Sequence, residues 1–473
     1  MIQRPFCICI PVGIKGRDHS YALGTKFFSA AGTASCQVEP EIKGVRNLLF
    51  EKLKVPDTFI FSANIGTTMT ILTCIFTLSA FVCVGDTPPL DAAATQRLTL
   101  IGSAQFAGDA LDASGLPGEV IAGFPHARLG SMGSGIDALD TFPGGAHVVA
   151  INDRGPANGI APFDCRFQKI TLRVDAAASP PVSVALDGTV LLRRADGKPF
   201  IGLASELGVW KDSTGCVLSN RFDPEAIRHL PSGNLLISEE YMPGILEFTM
   251  QGAFVRAWPV PESFRCAHPG ASELVEFPPA NMSGRQPNKG LEGLAITPKG
   301  VVWALLQNPL IQDGALNAKN KPVGKNIRML CVGSDPAKPD MRQVVYQLES
   351  PANGVSELLA IDENRFLVLE RDGAKKKFRR VYQIDVSKAS DVSKVAALAS
   401  LALPEGVVPV TKSMLLDLAD PANGITSTPE KIEGLCFGPT LSDGRRTLVI
   451  SSDNDMKADE PSWFWVFAMP LKM

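Results

Sequence analysis

The sequence predicts an all-β fold, and more closely a single β-propeller running from about residue 97 to residue 473. Three observations support this prediction. A hairpin-like pattern recurs five times, 42 glycines and 36 prolines supply turns, and no helical period of 3.6 residues is sustained after residue 86. The chain has 473 residues, 45% of them hydrophobic, which is enough to bury a sizeable core.

Each repeat starts with an acidic residue and a short apolar run, then turns at Gly, Pro, Asp or Asn into a second apolar run. The segment NKGLEGLAITPKGVVWALLQNPL, from Asn288 to Leu310, shows this pattern. The repeated acids are Asp137, Glu225, Glu292, Glu357 and Glu433. Their separations of 88, 67, 65 and 76 residues leave room in each repeat for two more strands, as in a four-stranded propeller blade.

The outer strands of the blades also have candidates in the sequence. Residues 245–261 read as two strands around a Gln251-Gly252 turn, and residues 326–333 and 379–386 read as third strands. Residues 90–130 and the C-terminal SWFWVFAMP are expected to form one further, closing blade. The sequence therefore predicts six blades, with five or seven remaining open.

The region before the repeats has a different character. Residues 1–68 show no sustained periodicity, so we expect an unassigned and disordered extension. Residues 69–85, MTILTCIFTLSAFVCVG, resemble the apolar core of a signal peptide but are short for a membrane span. Translation from Met69, a signal-anchor and a separate targeting extension are the three explanations. We expect a secreted or extracytoplasmic protein without a stable membrane span.

The acids are expected to converge. The start of the first strand of an antiparallel hairpin lies beside the end of the second, and the first strand of each blade lines the propeller channel. Polar residues at these second ends, Asp153, Glu240 and Asp453, would join the five acids. Such carboxylates repel one another unless some are protonated or a cation binds. Oxygen ligands favour Ca²⁺, with Mg²⁺ as the alternative. In the other interpretation, the acids cap backbone N–H groups or pair with Arg or Lys, and no metal ion is needed.

Composition and motifs exclude several classes of protein. A net charge of −3 offers no basic surface for nucleic acid, and none of the five histidines has a zinc-binding spacing. No GxSxG or P-loop motif occurs. We expect a monomer that acts on a small-molecule ester or phosphoester and does not bind nucleic acid.

Several longer motifs resemble the phytase-like family, whose description is "esterase-like activity of phytase". They include GRQPNKGLEGLAITP from Gly284, SELLAIDENRFLVLERDG from Ser356 and KIEGLCFGPTLSDGRRTLVISSDND from Lys431, and the resemblance covers about residues 97–470. It implies a β-propeller in which recurrent acids carry an ester- or phosphoester-hydrolysing activity. Met242 stands where the family commonly has Gly, and Met456 where an aromatic residue is usual; neither change removes a carboxylate.

These observations predict a metal-assisted hydrolase of phosphate or carboxylic esters. Glu292, Glu357 and Glu433 would be metal ligands or bases, and Arg154 and Arg371 would hold the anionic group of the substrate. A lactonase-like propeller enzyme is one alternative. A non-catalytic extracellular binding module with a structural cation is the other.

Overall fold

In this computed structural model, the described residues are 98–270, 272–373, 378–425 and 428–471, with the backbone of four strands between residues 12 and 38. The chain divides into two compact units, Met1–Leu90 and Asp91–Met473. In the first unit, β1 (Val12–Lys15) pairs with β2 (Ser20–Leu23), and β3 (Thr25–Ala30) pairs with β4 (Thr33–Val38). The apolar run at 69–85 lies outside the described residues, and the disorder expected for residues 1–68 stays a prediction.

The second unit begins with one long strand and a short hairpin, followed by five repeats of four strands. The first strands are β5 (Thr99–Phe106), β6 (Glu119–Ile121) and β7 (Phe124–Pro125). Blade I contains β8 (Met132–Phe142), β9 (Gly145–Asn152), β10 (Arg166–Val174) and β11 (Val182–Leu191). A two-stranded hairpin, β12 (Val209–Lys211) with β13 (Val217–Ser219), follows blade I.

The next three blades are continuous in sequence. Blade II contains β14 (Pro224–His229), β15 (Leu235–Glu239), β16 (Gly244–Phe248) and β17 (Phe254–Trp258). Blade III contains β18 (Leu291–Ile296), β19 (Val302–Leu306), β20 (Asn326–Gly333) and β21 (Arg342–Gln347). Blade IV contains β22 (Asn353–Ala360), β23 (Arg365–Asp372), β24 (Arg379–Asp385) and β25 (Thr411–Asp417).

Blade V closes the propeller with strands from both ends of the unit. It contains β26 (Ile432–Thr440), β27 (Arg446–Ser452) and β28 (Ser462–Ala468), and β5 pairs with β28 as the fourth strand. The all-β propeller is thus confirmed, but with five blades and not six. Of the residues assigned to a separate closing blade, β5 and the C-terminal strand β28 complete blade V instead.

Helical segments within the described residues are single turns. They span Pro156–Gly159, Glu262–Phe264, Glu273–Val275, Ile311–Asp313 and Pro421–Asn423. None of the described helices has the length and apolar character that a bilayer crossing requires.

The core lies between neighbouring sheets, where apolar side chains from facing blades interlock. Trp303 of blade III packs edge-on against Phe366 of blade IV, with ring centroids 5.5 Å apart. Similar apolar layers join blades I and II, blades IV and V, and blades V and I. This packing holds the first strands β8, β14, β18, β22 and β26 in contact around one central channel, in that order.

The inner strands approach one another very closely beside the acids. A Cβ atom on Gly293 would lie 2.8 Å from the Leu358 backbone nitrogen on the next blade, and one on Gly135 would lie 2.6 Å from the Ala226 Cα. Real Cβ atoms do not make such contacts, so these positions require glycine. The glycine that follows Glu292 is thus needed for the close approach of blades III and IV.

Candidate functional site

Every inner strand has a β-bulge at its start, and the bulge determines which side chain reaches the channel mouth. In blade III, Leu291 pairs with Leu306 and Gly293 with Leu305, so Glu292 is the extra residue. In blade V, Ile432 and Gly434 flank Glu433 in the same way. The residues within the five bulges are Gly133 and Ser134 in blade I, Glu225 and Ala226 in blade II, Glu292 in blade III, Ser356 in blade IV and Glu433 in blade V.

Two of the five repeated acids therefore lie away from the position expected for them. Ser134 occupies the bulge in blade I, and Asp137 lies three residues further along the strand. Ser356 occupies the bulge in blade IV, and Glu357 is the next residue. The channel mouth thus receives three glutamates and two serines from the inner strands.

A compact group of buried carboxylates lies at the mouth, formed mainly by blades I to III. The oxygens of Asp153, Asp223 and Glu225 lie within 4.8 Å of one another. The carboxylate oxygens of Glu225, Glu240 and Glu292 also lie within 4.8 Å of one another. We call these five residues the acid cluster; Glu225 belongs to both triads. Each member is at most 8% exposed to solvent.

Glu225 is surrounded by other carboxylates. Its side chain makes no hydrogen bond or ion pair with any residue that the structure describes. Burial raises the pKa of Glu225 well above its usual value, and the nearby Glu292, Asp153 and Glu240 raise it further. An ionised carboxylate in this setting is costly unless a proton or a cation neutralises it.

The triad of Asp153, Asp223 and Glu225 already contacts cations of the protein. Arg154 donates to Asp223 and to the Asn288 side chain. Burial raises the pKa of Asp223 well above its usual value, and Arg154 opposes that rise. The other triad has a weaker contact, since the Arg154 Nη1 atom lies 3.7 Å from the Glu240 Oε2 atom.

Lys431 neutralises the acids on the blade V side. Its ammonium nitrogen lies 3.2 Å from Asp153 Oδ2, 3.1 Å from Asp453 Oδ2 and 3.0 Å from Asp455 Oδ1. Burial opposes ionisation of Asp153, but Lys431 and Arg154 more than offset it and lower the pKa of that carboxyl. Burial raises the pKa of Asp453 to about 7, although Lys431 opposes this.

Arg371 connects Glu433 to the serines at the bulges. Its Nε atom donates to Ser356 Oγ at 2.9 Å, and its Nη2 atom donates to Glu433 Oε1. The hydroxyl of Ser134 donates to the other oxygen of Glu433 at 3.3 Å. Glu433 is therefore paired, in contrast to Glu225.

Three buried oxygens in or beside the acid cluster have no hydrogen-bond donor in the described part of the chain. They are Asp223 Oδ1, Glu240 Oε1 and Gln307 Oε1. The amide nitrogen of Gln307 donates to Glu292, so the orphaned amide oxygen lies next to the second triad. Burial raises the pKa of Glu292 well above its usual value, with Glu240 and Glu433 adding to the rise and Arg371 opposing it. An all-oxygen set with unpartnered members suits a hard cation.

Below the acid cluster, Arg228 crosses the channel. It donates to the backbone oxygens of Ile136 at 2.6 Å and Leu358 at 2.8 Å, and lies 2.9 Å from Glu357 Oε1. Burial raises the pKa of Glu357 to about 8, while Arg228 and two backbone N–H groups oppose it. Asp137 accepts from the His229 backbone nitrogen at 2.8 Å. Glu357 and Asp137 thus belong to the channel interior and not to the acid cluster.

Sequence reasoning missed Asp223, which lies two residues before Glu225. Lys431 lies two residues before Glu433, and Gly290 lies two before Glu292. The backbone oxygens at these three positions accept equivalent hydrogen bonds from the ends of the second strands, at Glu240, Asp453 and Gln307. A comparison of the residues that lie two positions before each repeated glutamate would have shown an acid, Asp223, in one blade and a lysine, Lys431, in another.

The fold and this site define a five-bladed β-propeller with a buried acidic centre in its channel. The family model described as "Esterase-like activity of phytase" matches residues 129–456, and the chain belongs to that Phytase-like family. The resemblance noted in the sequence motifs is thereby confirmed.

Individual relatives are distant. An uncharacterized secreted protein of Arthroderma benhamiae is 26% identical over 233 residues, covering 38% of this chain and 43% of the relative, so this chain spans less than half of that protein's length. Among solved structures, an α-L-arabinofuranosidase of Clostridium thermocellum aligns with 11% identity over 67% of this chain and 81% of that one, at a TM-score of 0.33. An aldose sugar dehydrogenase of Streptomyces coelicolor aligns with 11% identity over 78% and 99%, at a TM-score of 0.29.

Proposed function

We propose that the protein is a metal-assisted hydrolase of phosphate or carboxylic esters whose site is the acid cluster. The observation that carries the proposal is Glu225, a buried carboxylate whose nearest charged neighbours include four other carboxylates. Clustered acids with strongly shifted pKa values inside a cleft are typical of functional sites. Membership of the Phytase-like family, described by an esterase-like activity, supports the same reaction class.

Of the two triads, that of Glu225, Glu240 and Glu292 is the better cation site. Arg154 and Lys431 already neutralise Asp223 and Asp153 in the other triad. The second triad also has the orphaned oxygens of Glu240 and Gln307 beside it. We assign Ca²⁺ to it, with Mg²⁺ as the alternative if waters complete the coordination shell.

The bound cation would polarise the ester oxygen and lower the pKa of a coordinated water. Glu292 would orient the attacking water and take up its proton, since a bound cation would hold this buried carboxylate in the ionised form that can accept a proton. Gln307 holds the Glu292 carboxylate through its amide nitrogen. Glu433 would position Arg371, which would hold an anionic group of the substrate.

The remaining predicted residues would support this centre. Arg154 donates to Asp223 and Asn288, so we assign it to holding the acid cluster together. Asp153 and Asp453 would keep Lys431 in place. Glu357 and Asp137, inside the channel, would act on the site only through the packing of the inner strands.

We also propose an extracytoplasmic location, where Ca²⁺ is plentiful. The apolar run at residues 69–85 and the name of the Arthroderma benhamiae relative, a secreted protein, both favour it. N-terminal sequencing of the mature protein tests this, because cleavage after about residue 85 would agree with a signal peptide and an intact N-terminus would contradict it.

A substrate panel tests the reaction class. The purified protein, loaded with Ca²⁺, is offered a phosphomonoester, a carboxylic ester and a lactone. We expect hydrolysis of one of the first two that is lost on chelation. Hydrolysis of the lactone alone would point to the lactonase alternative, and no hydrolysis of any of them would favour a binding module.

Removal of the cation should lower the thermal stability of the protein. A ligand that binds only the folded state stabilises it by about 2.7 kcal/mol at a hundredfold excess over its dissociation constant. We therefore expect a chelator to lower the melting temperature and added Ca²⁺ to restore it. Glu225→Gln should abolish this response, since Glu225 belongs to both triads.

The matched control is Glu363→Gln. Glu363 lies in the turn of the blade IV hairpin, at the other end of the inner strands, and accepts from Thr297 and Lys299. This variant should respond to chelator and Ca²⁺ as the parent does. A parent protein whose melting temperature is the same with and without chelator would contradict a cation site.

A further inference from the structure

A small cavity of about 140 Å³ adjoins the acid cluster on the side of blades III and IV. Its polar walls differ in character from the cluster, since they include two cationic side chains, Lys289 and Arg371, and the amides of Gln286, Asn308 and Asn353, but no carboxylate. At about 30 Å³ for each liquid water, the cavity has room for a group as large as a few waters and not for a whole drug-sized ligand. We infer that this cavity is an anion-binding subsite for a negatively charged group of the substrate that is not itself hydrolysed.

Lys289 is the residue that the structure leaves available for such a group. Its ammonium makes no hydrogen bond or ion pair with any residue in the described ranges, although Glu292 is close enough for Lys289 to lower its pKa. Arg371 also lines the cavity, and its Nε and Nη2 atoms are the ones bonded to Ser356 and Glu433. Two cationic groups around a small space favour a carboxylate or a phosphate.

The local backbone fixes where Lys289 lies. Asn288 has a positive φ of 52°, and its side chain accepts a hydrogen bond from Arg154. Lys289 donates its own backbone N–H to the Gln286 oxygen at 3.1 Å, which closes a tight turn. The turn that precedes β18 is therefore anchored to the acid cluster and presents Lys289 at its edge.

The cavity adjoins the acid cluster through Gln307, and it adjoins Glu433, which lies outside the cluster, through Arg371. Gln307 and Arg371 both line the cavity, and they also bond to Glu292 and Glu433 at the channel mouth. A ligand in the cavity could therefore have a second functional group at the cluster. This inference rests on the proposed function and narrows its substrate class to esters that carry a separate negative charge.

Occupancy of the subsite should be linked to the cation. Without a cation, the buried carboxylates of the cluster repel an anion placed beside Gln307 and Arg371. Binding of Ca²⁺ to Glu225, Glu240 and Glu292 would relieve that repulsion. By linkage, the anion should then strengthen binding of Ca²⁺ by the same factor.

Calorimetric titration with inorganic phosphate and with acetate tests the subsite independently of any hydrolysis. The full-length protein is first saturated with Ca²⁺ and then freed of excess cation, so that the anion cannot precipitate it. We expect one of the two anions to bind, and Lys289→Met to weaken that binding about ten- to a hundredfold, the scale of one charge-assisted hydrogen bond. Lys289→Arg should retain most of it.

Lys299→Met is the matched control, because Lys299 is exposed in the turn at the opposite end of the same blade III hairpin. It should bind the anion as the parent does. Chelation of Ca²⁺ should weaken anion binding to the parent protein. The anion whose affinity falls more in Lys289→Met, phosphate or acetate, is the one that the subsite prefers.

Equal affinity in the parent and in Lys289→Met would overturn the inference, since the anion would then bind elsewhere, for example on the cation itself. Absence of binding by both anions would overturn it as well. If Lys289-dependent binding is found but no ester is hydrolysed, the subsite stands and the proposed enzymatic function fails. If esters are hydrolysed equally with and without a second charge, the function stands and the subsite fails.

Discussion

Replacement of Glu292 by Gln is expected to lower turnover of the preferred ester by on the order of 10²-fold or more, the usual scale for loss of a general base. Gln keeps the shape of the side chain but removes both its charge and its basicity. The effect should appear mainly in kcat, because a proton acceptor acts in the transition state and contributes little to ground-state binding.

A structural role for Glu292 predicts a different pattern. If Glu292 served only to hold a cation that stabilises the fold, Glu292→Gln would lower the melting temperature and leave hydrolysis nearly intact at a temperature where the protein is folded. Both quantities are therefore measured on the same preparation, with Glu363→Gln as the control that should keep the parental turnover and the parental response of the melting temperature to Ca²⁺. Equal turnover by Glu292→Gln and the parent on every hydrolysed substrate would rule out Glu292 as the base.

Repetition in the sequence predicts most of the fold. The five hairpins that begin with an acid are the first and second strands of the five blades, and residues 245–261, 326–333 and 379–386 supply outer strands where the pattern predicts them. The number of blades could not be read in the same way. Closure of blade V by β5 joins residues more than 350 positions apart, and local sequence carries no sign of that pairing.

The composition of the site could be predicted only in part. Glu225 and Glu292 lie in the acid cluster together with Asp153 and Glu240, as the pairing of strand ends predicts. Asp137 and Glu357 do not, because a bulge in each inner strand decides which side chain reaches the channel mouth. Glu433 and Asp453 also lie outside the cluster, where they pair with Arg371 and Lys431. A bulge changes the register by one residue and leaves the apolar pattern on either side almost unchanged.

The arrangement of charge has a physical logic that the list of acids alone does not reveal. Lys431 and Arg154 neutralise the acids between blades I, II and V. Among the described residues, the ion pairs of the triad of Glu225, Glu240 and Glu292 are limited to the long contact between Arg154 and Glu240. If the acids served only to cap strand ends, a buried Glu225 without a hydrogen-bond donor would not stabilise the fold. The cost of burying it is consistent with retention for binding a ligand.

Arg228→Met is expected to be the most destabilising single change in the channel, at about 3–5 kcal/mol, the range for removal of one partner of a buried ion pair. Arg228 is 2% exposed and Glu357 is fully buried. The variant loses donors to the backbone oxygens of Ile136, Ile227 and Leu358, which belong to three different inner strands. At a pH above the raised pKa of Glu357, it also leaves the ionised carboxylate without its counter-charge.

The pH dependence of that loss distinguishes an ion pair from simple packing. The pKa of Glu357 is already raised to about 8 in the folded protein, and removal of Arg228 should raise it further, while the unfolded chain keeps the ordinary value. The folded variant then binds a proton that the unfolded chain releases, so its stability should fall as pH rises from the ordinary glutamate pKa through and beyond 8. Urea unfolding of Arg228→Met at pH 6 and pH 9 should therefore show the larger deficit at pH 9.

A double variant completes the test. Arg228→Met with Glu357→Gln has no buried charge to compensate, so it should be more stable at pH 9 than Arg228→Met alone and should lose the extra pH dependence. Arg365→Met is the matched control, because Arg365 pairs with the half-exposed Asp362 and its loss should cost no more than about 1 kcal/mol. If Arg228→Met unfolds at the parental urea concentration at both pH values, the contacts of Arg228 across the channel do not stabilise the propeller.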